Sequence, residues 1–284
     1  MRRSGTRGKY IKALLARKIV RFSAAVVILF IIFAVFAPLL SPYDPNYADF
    51  AAYLQEPGKL HLLGTDNYGR DVLSRIIYGT RVSLIIGVLA VMTACLIGTF
   101  LGMAGGYFGG LLDDVITRMT EAIRAVPQII LAMALTAVFG SGIRNLAIIL
   151  GISSMAGYVR MMRGQVLTIK QTDYIMAGKL QGNGSFRLMF RHILPNSISP
   201  IIVMMTQQVG QTILAEAGLS FLGLGISAPT ASWGSMVSEG RMYLIQNPVF
   251  ALSPGVCVAV LVICLSVLGD GVRDALDPQL RGDI

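Results

Sequence analysis

Six apolar runs divide this sequence, and each of them is long enough to cross a lipid bilayer. The hydrocarbon core of a bilayer is roughly 30 Å thick, which a helix crosses in about 20 residues. The runs lie near residues 20–40, 83–106, 126–142, 144–162, 196–216 and 249–269. Apolar residues make up 54% of the chain and charged residues 14%, so little sequence remains for a large soluble domain. The sequence therefore predicts an all-α integral membrane protein with a single transmembrane domain over residues 20–284.

The positive charge of the chain is concentrated beside particular apolar runs. The formal net charge is +9, and a dense basic cluster over residues 1–19 precedes the first run. Such a cluster stays in the cytoplasm by the positive-inside rule, and an even number of crossings returns the C-terminus to the same side. A second basic group follows the fourth run, on that same side: Arg160, Arg163, Lys170, Lys179, Arg187 and Arg191. This distribution predicts cytoplasmic termini, a bilayer as the surrounding medium, and no nucleic-acid partner.

The order of crossings assigns a side to each connecting segment. Residues 41–82 and 217–248 are predicted to be extracytoplasmic, and residues 163–195 cytoplasmic. Within the first segment, Asp71–Tyr78 has apolar residues at helical spacing, which predicts a short amphipathic helix at the outer interface. Within residues 217–248, the lone tryptophan, Trp233, either borders a pathway or anchors the chain at the membrane interface.

A basic amphipathic segment, Tyr174 to Pro195, separates the fourth and fifth runs. Read as a helix, it places Tyr174, Ala177 and Leu180 on one face and Lys179 on another. The Gly-Asn-Gly sequence at residues 182–184 predicts the end of that helix, because glycine and asparagine tolerate a left-handed backbone. The segment is either an ordinary charged connection or an element that another protein holds.

This segment resembles the signature loop of ABC-importer permeases. The match rests on Ala177, Gly182 and the closing Ile193-Leu194-Pro195, whereas Met176 and Gly178 replace the glutamate and alanine of the family. The resemblance implies a cytoplasmic coupling helix that docks in a groove of a separate ATPase. The residues implied in that coupling are Tyr174, Ala177, Gly178, Lys179, Leu180, Gly182, Leu194 and Pro195.

Two further segments resemble the peptide/opine/nickel branch of the same permeases. Residues 63–75 match the pattern LGTDxxGRDxxSR, and residues 220–234 match SFLGLG…P…WG. With a matching tail from Gly269 onward, the resemblance covers nearly the whole chain from about residue 20. It implies the type I ABC importer permease fold, with six transmembrane helices.

A charged residue at the end of the fifth run is a candidate for the transport pathway. A charge at the bilayer centre costs roughly 2.5–3.5 kcal/mol on insertion scales, so such residues usually face protein or water. Glu216 meets this criterion, and Ser220 and Trp233 follow it in the segment that resembles the family. We expect these three residues to line a pathway or gate.

Glycines recur every four residues in the second run. Gly98, Gly102 and Gly106 share one helix face, where small residues let two helix backbones approach closely. The alternative is the ordinary enrichment of glycine in membrane helices. We expect a tight helix contact within the transport bundle.

The sequence contains no catalytic or nucleotide-binding motif. A glycine-rich phosphate loop that ends in Gly-Lys-Ser/Thr does not occur, and His61 and His192 are the only histidines. Cys95, Cys257 and Cys264 lie inside the apolar runs, where they are expected to be small apolar residues and not metal ligands or disulfides. We therefore expect no catalytic residues, no metal site and no cofactor in this chain, with ATP-Mg bound by partner ATPase subunits.

The resemblance implies an importer of several subunits. Its partners would be a second, different permease, two ATPases and an extracytoplasmic substrate-binding protein in the cytoplasmic membrane of a bacterium or archaeon. The loop variant at residues 176–180 is closest to nickel-transport permeases, so nickel or a chelated transition metal is the expected cargo. Di- or oligopeptides are the alternative. A secondary transporter or channel is a more distant one, because ion coupling needs buried ionisable residues that are nearly absent here.

Overall fold

The computed structural model describes residues 17–276, and within that range the ordered backbone is helical, with one isolated β-bridge between Thr65 and Asp71. The predicted N-terminal basic region and the tail beyond residue 276 lie largely outside the described residues. The longer helices, in chain order, are α1 Lys18–Val35, α2 Val72–Phe108, α3 Gly110–Ala125, α4 Gln128–Phe139, α5 Ile143–Ile169, α6 Asp173–Leu180, α7 Ser185–Asn196, α8 Ile198–Phe221, α9 Trp233–Gly240 and α10 Pro248–Leu276.

The described helices account for the six predicted crossings. Four helices, α1, α2, α5 and α10, are each long and apolar enough to span a membrane. Two bent pairs, α3 with α4 and α7 with α8, raise this number to six if each pair counts as one span. The expected all-α membrane architecture is confirmed.

The third crossing differs from its prediction over residues 126–142. The chain bends by 94° between α3 and α4, and α4 itself has only 12 residues. Pro127 lies at the break with an extended backbone, φ −53° and ψ 133°, and it has no N–H to continue the hydrogen-bond ladder of α3. The charged residues before this crossing form the helix α3.

The interfacial helix predicted over Asp71–Tyr78 is also not a separate element. α2 begins at Val72 and runs without a break to Phe108, 37 residues that extend about 55 Å at 1.5 Å per residue. Asp71 caps this helix by accepting a hydrogen bond from the Ser74 N–H at 2.7 Å. The amphipathic spacing was read correctly, but no residue between 72 and 108 stops the helix.

The two ends of the bundle carry different structures. At one end, which we call the cap end, residues 41–71 and 222–247 close over the helices, with α9 between α8 and α10. At the other, the hairpin end, α6 and α7 project from α5 and α8. Arg17 and Asp274 form an ion pair of 2.6 Å at the hairpin end, so both ends of the described chain lie there.

The core of the molecule is the contact between α2 and α5, which run parallel. Ala90 meets Gly151 near the cap end, and Gly106 meets Val166 near the hairpin end. α8 and α10 pack on each other and on α2, and α1 packs across α2 and α10. In this arrangement α2 reaches from the cap to the α6–α7 segment, and α8 connects the same two regions along the chain.

Candidate functional site

The predicted coupling helix exists as α6, and its end is set by one glycine. Gly182 has φ +77°, a left-handed conformation that glycine adopts without a steric penalty. The Asn183 N–H donates to the Gly178 carbonyl at 3.1 Å and the Gly182 N–H donates to the Lys179 carbonyl at 3.0 Å. These two bonds form a Schellman motif, which satisfies carbonyls that the helix end would leave unpaired.

α6 has one buried face and one exposed face. Ile175 is completely buried against Leu188, Met189 and Ile193 of α7. An added Cβ at Gly178 would lie 3.0 Å from Leu188, so this glycine also faces α7. The opposite face is exposed and partly apolar, with Tyr174, Met176, Ala177, Lys179 and Leu180 on the surface. The structure thus leaves most of the predicted coupling residues of α6 accessible to another protein.

The α6–α7 hairpin is fastened to the end of α2. Lys179 Nζ lies 5.5 Å from the centre of the Tyr107 ring, and the rings of Phe100 and Phe190 are 6.1 Å apart. On the neighbouring helix, Lys170 Nζ donates to the Gly106 carbonyl at 3.0 Å. The hairpin is therefore in direct contact with the end of α2.

α7 leads from the coupling helix into the membrane through an irregular turn. Residues Met189–Ile193 form a π-helical turn, and the axis then bends by 59° into α8. Tyr174 lies against this segment: Asn196 Nδ2 donates to its hydroxyl at 3.3 Å, and the His192 ring is 6.5 Å away. Of the predicted closing residues, Leu194 is partly buried and Pro195 is exposed. Single π-turns inside helices are frequent at functional sites.

The three glycines of the second run lie directly against α5. An added Cβ would come within 2.5 Å of Tyr158 Cβ at Gly98, within 2.4 Å of the Val159 carbonyl at Gly102, and within 2.9 Å of Val166 Cβ at Gly106. Real Cβ atoms cannot approach backbone this closely. The contact is extended by Arg163, which donates two hydrogen bonds to Asp113 at 2.6 and 2.7 Å. The helix α5 therefore connects α2 and α3.

Glu216 lies inside the chain and not on an exposed face. Its side chain accepts hydrogen bonds from the Ser83 hydroxyl at 3.2 Å and the Ser220 hydroxyl at 2.8 Å. All three residues are buried, with Glu216 fully so. The carboxyl group joins α2 to the end of α8, close to where the chain turns into the cap. In this conformation neither Glu216 nor Ser220 faces solvent.

Trp233 is buried completely, which overturns its interpretation as an interfacial anchor. Its indole Nε1–H donates to the Ile76 carbonyl at 3.0 Å, and its ring meets Phe30 edge-on at 5.5 Å. Gly79 makes room for it, since an added Cβ there would lie 2.9 Å from the indole. Trp233 thus fastens α9 to α1 and α2.

The cap contains a network of buried charges that the motif comparison did not predict as a unit. Arg70 pairs with Asp66 at 2.6 Å and with Glu239 at 2.9 Å, while Arg75 lies 3.3 Å from Asp66. Arg75 also donates to the Pro45 carbonyl at 3.0 Å. These pairs connect the segment before α2 to α9. The sequence gives no indication that Glu239 belongs to this network, because its partners are about 170 residues away in the chain.

Other polar residues of the cap form hydrogen bonds or ion pairs with groups of the same chain. His61 Nδ1 lies 2.9 Å from Asp71, and Asn247 donates to the Gln55 and Thr65 carbonyls at 3.2 and 3.3 Å. Between residues 17 and 276, no group of three or more His, Cys, Asp or Glu side chains could hold a metal ion. The described geometry consists of an exposed helix, the packing contacts that hold it, and a cap joined by ion pairs.

Family models and known proteins together match nearly the whole chain. The family model described as binding-protein-dependent transport system inner membrane component matches residues 95–282, and the N-terminal TM domain of oligopeptide transport permease C matches residues 9–57. A glutathione transport system permease protein of Pectobacterium atrosepticum is 41% identical over 256 residues, 90% of this chain and 85% of the relative.

Two dipeptide transport system permease proteins are similar to the same extent. The protein from Alkalihalophilus pseudofirmus is 39% identical over 95% of this chain and 89% of its own length. The protein from Haemophilus influenzae is 39% identical over 87% of this chain and 86% of its own length. The type I permease fold and the absence of an enzymatic activity are thereby confirmed. The chain belongs to the inner membrane components of binding-protein-dependent transport systems, as a multi-pass permease of the peptide family of ABC importers.

Proposed function

We propose that this chain is the permease subunit of an ATP-driven importer for short peptides. The observation that carries the proposal is the cargo in the names of the relatives, which are glutathione and dipeptides at 39–41% identity over about nine-tenths of the chain. Glutathione is itself a small peptide, so both names describe one chemical class. Peptides were the alternative in the sequence analysis, and they are now the main proposal.

Nickel, the cargo expected from the loop variant at residues 176–180, finds no support. The relatives described above are named for peptides, and closeness to nickel-transport permeases in particular is not shown. The reason lies in what that loop does: its exposed residues form a surface on α6, far along the chain from the cap. A surface that contacts an ATPase carries no direct information about cargo.

The exposed face of α6 is the proposed docking surface for an ATPase. Leu180 is 90% exposed and Tyr174 47%, which leaves apolar area available at the tip of a rigidly attached hairpin. The assembly would contain two ATPases that bind ATP-Mg, a second, different permease and an extracytoplasmic binding protein. ATP binding would then bias the permease between two states through its different affinity for each.

The charge distribution supports the hairpin end as the cytoplasmic end. Arg17, Lys18 and Arg21 of α1 lie there, together with the basic residues of α6 and α7. Residues 41–71 and 222–247 of the cap end carry six acidic and three basic side chains. The positive-inside rule then makes residues 41–82 and 217–248 extracytoplasmic and residues 163–195 cytoplasmic. In this orientation Glu216, Ser220 and Trp233 would act by holding the extracytoplasmic gate closed and not by touching cargo.

Uptake by intact cells tests this function. Cells with and without the gene are given, separately, a radiolabelled dipeptide, radiolabelled glutathione and radiolabelled nickel. We expect the deletion to reduce uptake of at least one of the two peptides severalfold and to leave nickel uptake unchanged, with both effects reversed by a plasmid copy. Loss of nickel uptake alone would contradict the proposal.

A further inference from the structure

The exposed helix faces of this chain are of two kinds. Along the middle of α2 the exposed residues are all apolar: Ile85, Val88, Leu89, Met92, Leu96 and Phe100. The middle of α10 is similar, with Leu252, Val256, Val260 and Ile263 exposed. Such faces suit contact with lipid acyl chains, because neither carries a group that needs a hydrogen bond.

The face that α8 exposes is mixed: it carries apolar residues such as Ile202 and Leu214, and also glutamines near its middle. Gln211 is exposed and Gln208 is partly exposed, and neither side-chain amide has a hydrogen-bond partner among residues 17–276. The neighbouring Gln207 is engaged, since it donates to Asp270 at 3.1 Å. Both free amides lie ~15–20 Å along a helix of 24 residues, and hence close to its middle.

Contact with lipid acyl chains is energetically unfavourable for these amides. Moving an amide from water into a hydrocarbon without a partner costs roughly 4–8 kcal/mol. Polar side chains within membrane spans therefore face other protein or a water-filled cavity. The α8 face thus borders an aqueous or protein-lined space, whereas the α2 and α10 faces border lipid.

Two glycines of α5 and one of α8 have little or nothing packed against them. An added Cβ at Gly164 or Gly218 would meet nothing within 4 Å, and at Gly157 it would meet only the flexible end of Met204, at 2.7 Å. Gly164 and Gly218 are therefore not required for packing among the described residues, whereas Gly157 packs against Met204. A helix surface without side chains lets another molecule approach the backbone closely.

Taken with the proposed function, on which it rests, we infer that Gln208 and Gln211 bind the peptide bonds of the cargo as it crosses the membrane. A primary amide carries one acceptor oxygen and two donor hydrogens, so it can pair with both the C=O and the N–H of a peptide group. Such pairing does not depend on the side chains of the cargo. Gly218 lies about two turns after Gln211 and hence on the same face of α8, where it leaves room for those side chains to differ.

Cysteine accessibility in the assembled transporter tests this inference. In a chain with Cys95, Cys257 and Cys264 replaced by alanine, Gln211→Cys and the matched control Leu96→Cys are each exposed to a membrane-impermeant maleimide in lipid nanodiscs. We expect labelling of the Gln211→Cys variant only, and severalfold slower labelling when a dipeptide and its binding protein are present. No labelling of the Gln211→Cys variant would overturn the inference, because lipid or the second permease would then cover that face.

Transport kinetics distinguish this inference from the proposed function. For Gln211→Leu we expect a KM for dipeptide uptake raised roughly five- to tenfold, the loss of about one hydrogen bond, with intermediate values for Gln211→Asn. An unchanged KM, or labelling that dipeptide does not slow, alongside normal peptide uptake by the unmodified transporter would overturn only the role of the glutamines. Absence of peptide uptake by the unmodified transporter would count against the proposed function itself.

Discussion

Gly182 shows how a single backbone angle can end a helix. Its φ of +77° turns the chain out of α6, and nothing within 4 Å would obstruct an added Cβ. Any effect of a substitution there must therefore come from the backbone conformation and not from a collision. The left-handed region costs an L-residue roughly 1–2 kcal/mol, and more for a β-branched side chain.

We expect Gly182→Val to uncouple transport from ATP hydrolysis while membrane insertion stays normal. The Schellman motif would be strained, and the exposed face of α6 would lose its fixed position. The measurement is peptide uptake and ATPase activity of the purified complex, with uptake expected to fall at least tenfold. Gly184→Ala is the matched control, because Gly184 has φ −64° and also has open space around it. Normal coupling in Gly182→Val would rule out a positioning role for this turn.

At the scale of helices, α2 and α5 form one unit because glycine brings their backbones into contact. The closest approach is at Gly102, where an added Cβ would lie 2.4 Å from the Val159 carbonyl and 3.0 Å from Met162 Cβ. Backbone atoms cannot rotate away as a flexible side chain can. The two parallel helices would have to separate to admit even one methyl group.

We therefore expect Gly102→Ala to destabilise the protein by about 1–3 kcal/mol, the usual range for overpacking a close contact. The measurement is the thermal midpoint of the purified protein in nanodiscs. Gly210→Ala serves as the control: its added Cβ would be 3.5 Å from the Val262 carbonyl, an ordinary contact. This control should be neutral or slightly stabilising, since alanine favours helix. Equal midpoints for the two variants would contradict the close packing.

The helices that the sequence predicted well are those whose apolar runs are long and uninterrupted. The runs near 20–40 and 249–269 correspond to α1 and α10, because hydrophobic length alone decides them. Pro127 predicts a kink or the start of the third crossing, but neither the size of the bend there nor the extension of α2 to Val72 follows from apolar length. Tertiary packing selects the bend of 94° between α3 and α4. The start of α2 at Val72 depends on the packing of polar residues such as Arg75 inside the cap.

The candidate site was predictable to a similar degree. Gly182 and the exposed residues of α6 followed from local spacing and turn chemistry, which are properties of neighbouring residues. The burial of Trp233 and Glu216 did not, because both depend on α2, which is more than 130 positions away in the chain. Ile175, the buried residue of α6, is apolar in the sequence, but a helix of 8 residues is too short to reveal which of its faces is covered.

Across the length of the bundle, α2 connects the cap, which contains buried ion pairs, to the hairpin that contains α6. Arg75, near the start of α2, is 1% exposed and pairs with Asp66, and Tyr107, near its end, lies under Lys179. The glycine contact with α5 stiffens the stretch between them. A displacement of α6 therefore has a direct mechanical route to the cap through one continuous helix.

We expect Arg75→Met to loosen the cap, because removing one partner of a buried ion pair costs about 3–5 kcal/mol. Residues 41–71 should then be cleaved faster by protease, and the thermal midpoint should fall. Arg118→Met is the control, since Arg118 pairs with Glu121 on the surface and is 85% exposed, where a pair contributes about 0–1 kcal/mol. Equal effects of the two substitutions would show that the cap does not depend on its buried charges.

The central claim is that this chain moves peptides only when an ATPase drives it through α6. The direct measurement is accumulation of a labelled dipeptide in liposomes that contain the complex purified through a tag on this chain, with ATP and the binding protein on their respective sides. We predict accumulation that requires ATP hydrolysis and is lost in Gly182→Val. Accumulation that persists without ATP, or that follows an ion gradient, would contradict the account and make the chain a secondary transporter.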